Sequence, residues 1–571
     1  MSDDTKLPLT SDNPSEALLA QLREQAPHLF SEGKVDWDKL KATLGEAIET
    51  GPERYGLTWA GKSEAFRNVQ IPSVGTLLPM PEESVNFDTS ENLIIEGDNL
   101  EVLKLLQKSY HGKVKMIYID PPYNTGNRDF IYNDRFVDKD DVYKHSKWLE
   151  YMYRRLILAK DLLAEDGVIF ASIDDNEMLH LGMLMDQVFG EANRVATCIW
   201  QKRYSRENRG AIGDAHEYLL VYAITPNNFK ERRNKIPPTE KQAAIYKNPN
   251  NDPKGPWRVI PMTAQGYRPN QMYEIITPTG AVHQPPEGRC WSTIESEFKR
   301  LLAEGRIWFG KEGKSQPGVI RYFSEVEGIT PWTWWPHEEV GHTDEAKKEI
   351  QSILGTQTAF DTPKPVRLIE RVLRIATKPD DLVLDFFAGS GTTAHAVMKL
   401  NAEDDGKRRF ILVSSTEATS SEPDKNICRD VCAERLRRVI QGYVNKKGEA
   451  VEGLDGSFSY LRARRIPAAR VFNEIQHGQV WLTLQLIHGE ALAPYDETAK
   501  VQVSGSADAR LMYVPKLNAA TLKEVAQVAA LGGSLTVYSW QPGQLRQRIE
   551  AGNVTFEKIP EFLVKRFGGG K

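Results

Sequence analysis

A short polar motif, Asp120-Pro121-Pro122-Tyr123, directly follows an apolar run at residues 116–119. The Asp120 carboxylate and the main-chain carbonyl of Pro121 could accept both N–H bonds of a planar amino group and so localise the lone pair of its nitrogen. The prolines hold that carbonyl rigidly, because each fixes its own φ and lacks a donor. Tyr123 offers a ring on which a flat heterocycle could stack. Alone, the motif is equally compatible with a proline-rich turn that caps a strand.

A second motif, Asp385-Phe386-Phe387-Ala388-Gly389-Ser390-Gly391-Thr392-Thr393, has the pattern of strand, turn and helix. Its two glycines would let the backbone approach a ligand closely, and the following helix would present its N-terminus there. The next predicted strand ends at Glu417, which could accept hydrogen bonds from ribose hydroxyls. The pattern indicates a nucleotide-like cofactor. A dinucleotide site is the rival interpretation, but Ala394 stands where that fingerprint has its third glycine.

Both motifs need strands that end at the same edge of a sheet, and the surrounding sequence predicts such strands. Short apolar runs alternate with amphipathic stretches over residues 86–224 and again over 346–445, as in NLIIEGDNLEVLKLLQK and KVKMIYIDPPY. This alternation predicts an α/β fold with a doubly wound, mostly parallel sheet. Ligands bind at the carboxyl ends of the strands in sheets of this kind.

The alternation stops over residues 225–345, where six of the twelve tryptophans lie among many Gly and Pro residues. This usage favours a β-rich or irregular inserted module. We therefore expect five regions: an N-terminal helical region and linker (1–85), two halves of one α/β domain (86–224 and 346–445), the insertion (225–345), and an α+β C-terminal domain (446–571).

Composition limits the classes of partner. The net charge is −5, so contacts with nucleic acid would need local basic clusters. One such cluster contains Lys202, Arg203, Arg206 and Arg209, which could grip phosphates, although a run of this kind is more often a solvated loop. The four cysteines and eleven histidines show no metal-ligand spacing, so no metal is expected. No apolar run is long enough to span a membrane, and a cytoplasmic protein is expected.

The two motifs and the sequence around them resemble the beta-class amino-methyltransferases of DNA. The most similar members of that class are the modification (Mod) subunits of type III restriction-modification systems. The resemblance covers roughly residues 25–440, through blocks such as WQKRYSREN, GDAHEYLLVYA, FDTPKPVRLIERVL and DFFAGSGTTAHAV. It implies a circularly permuted form of the S-adenosylmethionine-dependent methyltransferase fold, because the DPPY element precedes the cofactor element.

The resemblance also implies an activity and a set of site residues. The protein would transfer a methyl group from S-adenosyl-L-methionine to the 6-amino group of an adenine flipped out of double-stranded DNA. The catalytic element would be Asp120, Pro121, Pro122 and Tyr123. The residues implied to hold the cofactor are Asp385, Phe386, Ala388, Gly389, Gly391 and Thr392, with Glu417 on the ribose and Thr362, Lys364 and Pro365 closing over it. The insertion would recognise the target sequence, and the expected partners are a second copy of the chain and a helicase-nuclease (Res) subunit.

Three alternatives stay open at this point. The chain could be a solitary DNA adenine methyltransferase without a nuclease partner. It could be a cytosine N4 methyltransferase, although those enzymes usually carry serine in place of Asp120. It could also be a DNA-binding module that keeps the fold and has no activity.

Overall fold

The computed structural model describes most of the chain from residue 56 onward. The described residues are 19, 22–23, 30–31, 34–35, 56–69, 73, 75–126, 130–132, 135–136, 140–205, 211–355, 360, 362–418, 422–465, 476–549, 551–560 and 563. Most of the predicted N-terminal helical region, and both Arg206 and Arg209, lie outside them. The chain divides into two compact units, one formed by Met1–Arg233 with Trp332–Lys571 and the other by Asn234–Pro331.

The first unit contains a ten-stranded sheet. In chain order its strands are β1 (Gly75–Pro79), β2 (Leu93–Glu96), β3 (Val114–Ile119), β4 (Leu163–Ile173), β5 (Arg194–Gln201), β6 (His216–Ala223), β7 (Trp334–Trp335), β8 (Leu382–Asp385), β9 (Arg409–Ser414) and β10 (Ser459–Arg465).

The spatial order of these strands is β7-β5-β6-β4-β3-β8-β9-β2-β10-β1. The strands from β4 to β10 in this order are mutually parallel. By contrast, β6 and β1 run antiparallel to their neighbours. The predicted fold class, a mostly parallel sheet with helices, is confirmed. Strand β3 pairs directly with β8, with Met116 opposite Val383, so the two motifs leave the sheet side by side.

The central strands are fully covered. Every residue of β2, β3 and β8 is buried. Continuous apolar runs are typical of parallel strands that are buried on both faces, because helices cover the sheet above and below. The motifs that follow β3 and β8 are therefore attached to rigid elements.

Nine helices of this unit concern the site and its surroundings. They are α1 (Lys62–Val69), α2 (Asn99–Tyr110), α3 (Lys144–Leu162), α4 (Met178–Phe189), α5 (Thr343–Leu354), α6 (Val366–Ala376), α7 (Thr392–Asp404), α8 (Glu434–Gln441) and α9 (His477–His488). Asp98 caps α2 by accepting the backbone N–H of Glu101 at 3.1 Å. Helix α7 begins directly after Gly391, which is left-handed with φ 75°.

The second unit, Asn234–Pro331, is built mainly from short antiparallel strands. Trp257–Pro261, Gly318–Tyr322 and Ile307–Trp308 form a three-stranded sheet. Two further pairs join Thr263–Gln265 to Arg289–Trp291 and Ile275–Ile276 to Val282–His283. One helix, Glu295–Ala303, packs into an apolar cluster that includes Trp291 and Phe298.

The C-terminal part of the first unit has a sheet of its own. It consists of Gln502–Gly505, Ala509–Val514, Ser534–Ser539 and Val554–Lys558, and its last three strands are parallel. Helices Ala519–Ala529 and Pro542–Arg548 cover it.

The main sheet extends beyond the boundaries expected from the sequence. Strand β1 comes from the region expected to be helical and linker (1–85), and β10 comes from the expected C-terminal domain (446–571). The second unit begins at Asn234 and ends at Pro331, inside the interval 225–345. In the described part of the chain, no helix has both the length and the apolarity needed to cross a membrane.

Candidate active site

Asp120 lies just past the carboxyl end of β3 and is held by two side chains. The Lys364 ammonium donates to both of its carboxylate oxygens at 2.8 Å. The Tyr123 hydroxyl lies 2.8 Å from Oδ1. Burial raises the pKa of Asp120, and the Lys364 charge opposes that rise. The carboxylate is thus oriented before any substrate binds.

A second carboxylate, Glu217 of β6, completes this cluster. The Tyr123 hydroxyl lies 2.9 Å from Oε2 of Glu217 as well as close to Asp120. Because a phenol has one proton, it can donate to only one of the two carboxylates at a time. Glu217 also lies 3.4 Å from Lys364 Nζ and 3.4 Å from Lys202 Nζ. Sequence analysis missed Glu217, and its signal was a charged residue near the start of the apolar strand HEYLLVYA.

Lys364, which the resemblance implied in the element closing over the cofactor, lies in the Asp120 cluster. Its side chain is 8% exposed, and its Nζ lies 5.0 Å from the centroid of the Tyr123 ring and 5.9 Å from that of Trp200. Burial lowers the pKa of Lys364, but the charges of Asp120 and Glu217 outweigh this and raise it. The lysine therefore stays charged and belongs to the Asp120 cluster. Of its two neighbours in the motif, Thr362 is exposed and Pro365 precedes α6.

The two proline carbonyls differ in their partners. The Trp148 indole N–H donates to the carbonyl oxygen of Pro122 at 2.7 Å. Among the hydrogen bonds of the described residues, none reaches the carbonyl of Pro121. The Pro121 carbonyl is thus left as an acceptor beside Asp120, which is the arrangement that the first motif needs.

The glycine-containing turn after β8 is braced from within. The Asp385 carboxylate accepts the backbone N–H of Phe387 at 3.0 Å and the hydroxyl of Thr393. Burial raises the pKa of Asp385 to about 7. The Phe386 carbonyl accepts the side-chain N–H of Asn99 at 2.8 Å. Asp385 and Phe386 therefore shape the turn through contacts within the protein.

The remaining residues of the turn form the strand, turn and helix that the sequence predicts. Gly389 and Gly391 have φ of 48° and 75°, in the left-handed region. Thr392 is the first residue of α7, and its hydroxyl accepts a hydrogen bond from the buried Arg435 guanidinium at 2.8 Å. Ala388 donates its N–H to the carbonyl of Val413 in β9 at 3.1 Å, which ties the turn to the neighbouring strand.

A polar cavity of about 440 Å³ lies at the end of β9. Its lining includes Glu96, Thr416, Ala418, Asn426 and Arg462. Strand β9 ends at Ser414, earlier than the sequence predicts, and Glu417 lies between two lining residues. The Glu417 side chain is exposed, and its Oε2 lies 3.3 Å from Lys425 Nζ. A ligand with hydroxyls and ring nitrogens would find both donors and acceptors here.

Of the four basic residues predicted to contact phosphates, the structure describes Lys202 and Arg203, and only Arg203 is exposed. Lys202 is buried and bonds to Asp214 at 2.8 Å and to Glu217, so it belongs to the Asp120 cluster instead. Arg203 is exposed. The prediction for Arg206 and Arg209 falls on residues outside the described part of the chain.

One cluster of potential ligands escaped the spacing analysis. Donor atoms of His145, Glu177 and His180 lie within 4.8 Å of one another, although the sequence shows no histidine cluster. The reason is that His145 comes from α3, whereas the other two residues lie at the start of α4.

Comparison with known proteins is consistent with this geometry. The family profile described as "DNA methylase" matches residues 114–418. The chain is 34% identical over 477 residues to the type III restriction-modification enzyme StyLTI Mod subunit of Salmonella typhimurium, covering 75% of this chain and 71% of that protein. It is 35% identical over 473 residues to the EcoPI Mod subunit of Escherichia phage P1, covering 70% of each. It is 33% identical to the type II methyltransferase M.KpnI of Klebsiella pneumoniae, covering 58% of this chain and 82% of that protein.

Methylases of this kind take their methyl group from S-adenosyl-L-methionine, and the expected cofactor is confirmed. The donor set fits it, because the left-handed glycine turn, the cavity beside Thr416 and the exposed Glu417 carboxylate together offer close backbone approach and hydroxyl acceptors. The chain belongs to the DNA methylase family, among the relatives of the type III Mod subunits.

Proposed function

We propose that the protein methylates the 6-amino group of adenine in double-stranded DNA, with Asp120, Pro121 and Tyr123 receiving the flipped base. The observation that carries this proposal is the partly buried Asp120 carboxylate beside the Pro121 carbonyl, which accepts no hydrogen bond from the described residues, on a strand adjacent to the glycine turn. Two acceptors at this position match the two N–H bonds of an exocyclic amino group.

The residues divide the work of the transfer. S-adenosyl-L-methionine supplies an electrophilic methyl group when bound. Asp120 and the Pro121 carbonyl accept the two N–H bonds and localise the lone pair of the amino nitrogen. Each carboxylate oxygen has two lone pairs, so Asp120 can accept from the base while it keeps Lys364. Once the nitrogen is methylated it must lose one proton, and Asp120 is the nearest acceptor in this arrangement.

Tyr123 would stack on the flipped base. Its hydroxyl already lies at hydrogen-bonding distance from Asp120 and Glu217, so the ring is held in place before the base arrives. Preorganised groups of this kind stabilise a transition state without having to reorganise during the reaction.

The assignment of partners extends the same proposal. By likeness to the type III Mod subunits, the protein would form a homodimer in the cytoplasm and associate with a helicase-nuclease (Res) subunit. The second candidate is a methyltransferase that works without such a subunit. The likeness to the type II methyltransferase M.KpnI, which covers 82% of that protein, favours it. Co-purification with a Res subunit encoded nearby would separate the two.

The test is single-turnover methyl transfer to duplex DNA, with nucleoside mass spectrometry to identify the methylated base. We expect N6-methyladenine from the wild type. For Asp120→Ala we expect a loss of about 100- to 1000-fold in rate, as for removal of one transition-state hydrogen-bond group. Cofactor binding, measured by calorimetry, should persist in the variant.

Asp88→Ala, which removes an exposed carboxylate, is the matched control and should keep the wild-type rate. N4-methylcytosine as the product would contradict the choice of base. A wild-type rate in Asp120→Ala would contradict the catalytic assignment.

A further inference from the structure

Asn124, the residue directly after Tyr123, is held in an unusual backbone conformation. Its φ is 57°, in the left-handed region that non-glycine residues seldom occupy, and its side chain is buried. Its Nδ2 donates to Oε1 of Glu177 at 2.5 Å and to the backbone carbonyl of Lys144 at 3.3 Å. These bonds offset the conformational cost of the left-handed backbone.

Glu177 connects three segments of the chain. Its carboxylate is fully buried just before α4. Oε1 lies 2.7 Å from Nδ1 of His145 on α3, and Oε2 lies 2.8 Å from Nδ1 of His180 on α4. Burial raises the pKa of Glu177 to about 7, against the hydrogen bonds that it accepts. The loop after β3, the start of α3 and the start of α4 therefore meet at one carboxylate.

Helix α3 holds this loop on both sides of Tyr123. Its Trp148 binds the carbonyl of Pro122, and its His145 binds the carboxylate that holds Asn124. Among the described residues, Glu177 makes no hydrogen bond or ion pair with Asp120, Tyr123 or Lys364. Any effect of Glu177 on the Asp120 cluster must therefore pass either through Asn124 and the backbone or through His145 and helix α3.

The same side chains could be read as a metal site, since two histidines and a carboxylate are common ligands of transition metals. The contacts of Oε1 argue for a hydrogen-bonded carboxylate instead. Its 2.7 Å distance from His145 Nδ1 is that of an N–H···O bond, and the same oxygen accepts the Asn124 side-chain N–H, whereas His180 Nδ1 lies 2.8 Å from Oε2 without forming a hydrogen bond.

We propose that Glu177 is a positioning residue for the methyl transfer: by fixing Asn124 it sets the direction in which Tyr123 and Asp120 face the base. This rests on the proposed function. Misplacement of a catalytic group by about 1 Å can cost about 100-fold in rate, whereas cofactor binding at the β8 turn uses other residues. The expected consequence is a loss in the transfer rate without a loss in cofactor affinity.

The test uses the full-length protein and four variants: Glu177→Ala, Glu177→Gln, Asn124→Gly and the double variant Asn124→Gly/Glu177→Ala. We expect Glu177→Ala to lower the single-turnover rate by about 10- to 100-fold at saturating DNA and cofactor. Glu177→Gln should recover most of the rate, because its amide oxygen can still accept the Asn124 N–H. Cofactor affinity, measured by calorimetry, should stay within about twofold in all of them.

The double variant distinguishes an effect through Asn124 from independent structural damage. If Glu177 acts through Asn124, the double variant should be no slower than the slower single variant, whereas independent structural damage should multiply the two losses. Glycine tolerates the left-handed φ, so Asn124→Gly removes the side chain without backbone strain and keeps the test usable if Glu177→Ala does not fold. Glu191→Gln, an exposed carboxylate beyond the end of α4, is the control and should match the wild type.

Three results would overturn the proposal: a wild-type rate in Glu177→Ala, multiplicative losses in the double variant, or one equivalent of metal in the purified wild type that His145→Ala loses, measured by plasma mass spectrometry. Failure of the proposed function would look different. It would show as absence of N6-methyladenine with the wild type itself.

Discussion

At the scale of single residues, the site is a set of largely buried charges that neutralise one another. Asp120 and Glu217 share the Lys364 ammonium, and the Tyr123 hydroxyl lies between the two carboxylates. Lys202 lies on the far side of Glu217. An unpaired buried charge is costly, so each member depends on the others. The phenol of Tyr123 thus has a polar role besides the stacking that its ring suggests.

A comparison of Tyr123→Phe with Tyr123→Ala separates these two roles. Phenylalanine keeps the ring but leaves Asp120 and Glu217 without their shared donor, so we expect a partial loss of the transfer rate. Alanine also removes the stacking, worth about 1 to 3 kcal/mol, which corresponds to roughly 5- to 150-fold weaker retention of the flipped base. The measurement is single-turnover transfer together with 2-aminopurine fluorescence at the target position. Equal rates in the two variants would remove the stacking role.

At the scale of elements, the pairing of β3 with β8 brings the two motifs together. The turn after β8 also needs glycine because neighbouring protein atoms leave little space for a Cβ. A Cβ on Gly391 would lie 3.0 Å from Sγ and 3.2 Å from the carbonyl oxygen of Cys432. A Cβ on Gly389 would lie 3.0 Å from the ring of Phe360. Besides the approach of a ligand, the left-handed φ and the packing against Cys432 therefore disfavour a side chain at Gly391.

This packing predicts different stabilities for three alanine variants. Gly112 has φ of 65° and open space around its Cβ position. Gly112→Ala should therefore lower the free energy of unfolding only by the cost of a left-handed backbone, about 1 kcal/mol. Gly391→Ala should lower the free energy of unfolding by more, because the Cys432 backbone must also move. Gly389→Ala should fall between them, since an aromatic ring can shift. Urea unfolding gives the three free energies, and equal losses at Gly112 and Gly391 would contradict the role of Cys432.

At the scale of the whole molecule, the chain separates a unit that contains the Asp120 cluster from the unit Asn234–Pro331. The second unit consists mainly of short strands, holds three of the twelve tryptophans and contains none of the residues of the Asp120 cluster. Sequence discrimination in DNA comes from contacts with base edges. We expect this unit to supply those contacts.

The corresponding prediction is an exchange of residues 234–331 for the equivalent segment of a Mod relative. The chimera should methylate the relative's sequence at a rate within about tenfold of its parents, because the residues that carry the chemistry are unchanged. Sequencing that detects methylated adenine in DNA from expressing cells gives the site. An active chimera that keeps the original site would show that recognition lies elsewhere.

The parts of the fold that the sequence predicts are those encoded locally. Strands β2, β3, β8 and β9 are mostly apolar runs, and the helices after β2 and β8 begin at the Asp98 cap and at Gly391. Strands β1 and β10, at one end of the sheet, were missed. Each is a short segment whose strand conformation depends on a partner about 380 residues away in the chain, such as Leu77 opposite Ala463.

The sequence by itself determined the fold class, the family and the two motifs, because glycine, proline and apolar periodicity act over a few neighbouring residues. Only the tertiary structure decided what surrounds Asp120. Lys364 and Glu217 reach it from positions 244 residues and 97 residues away in the chain, and His145 meets Glu177 across two helices. Such contacts depend on strand order and on the packing of α3 and α4, which no local pattern encodes.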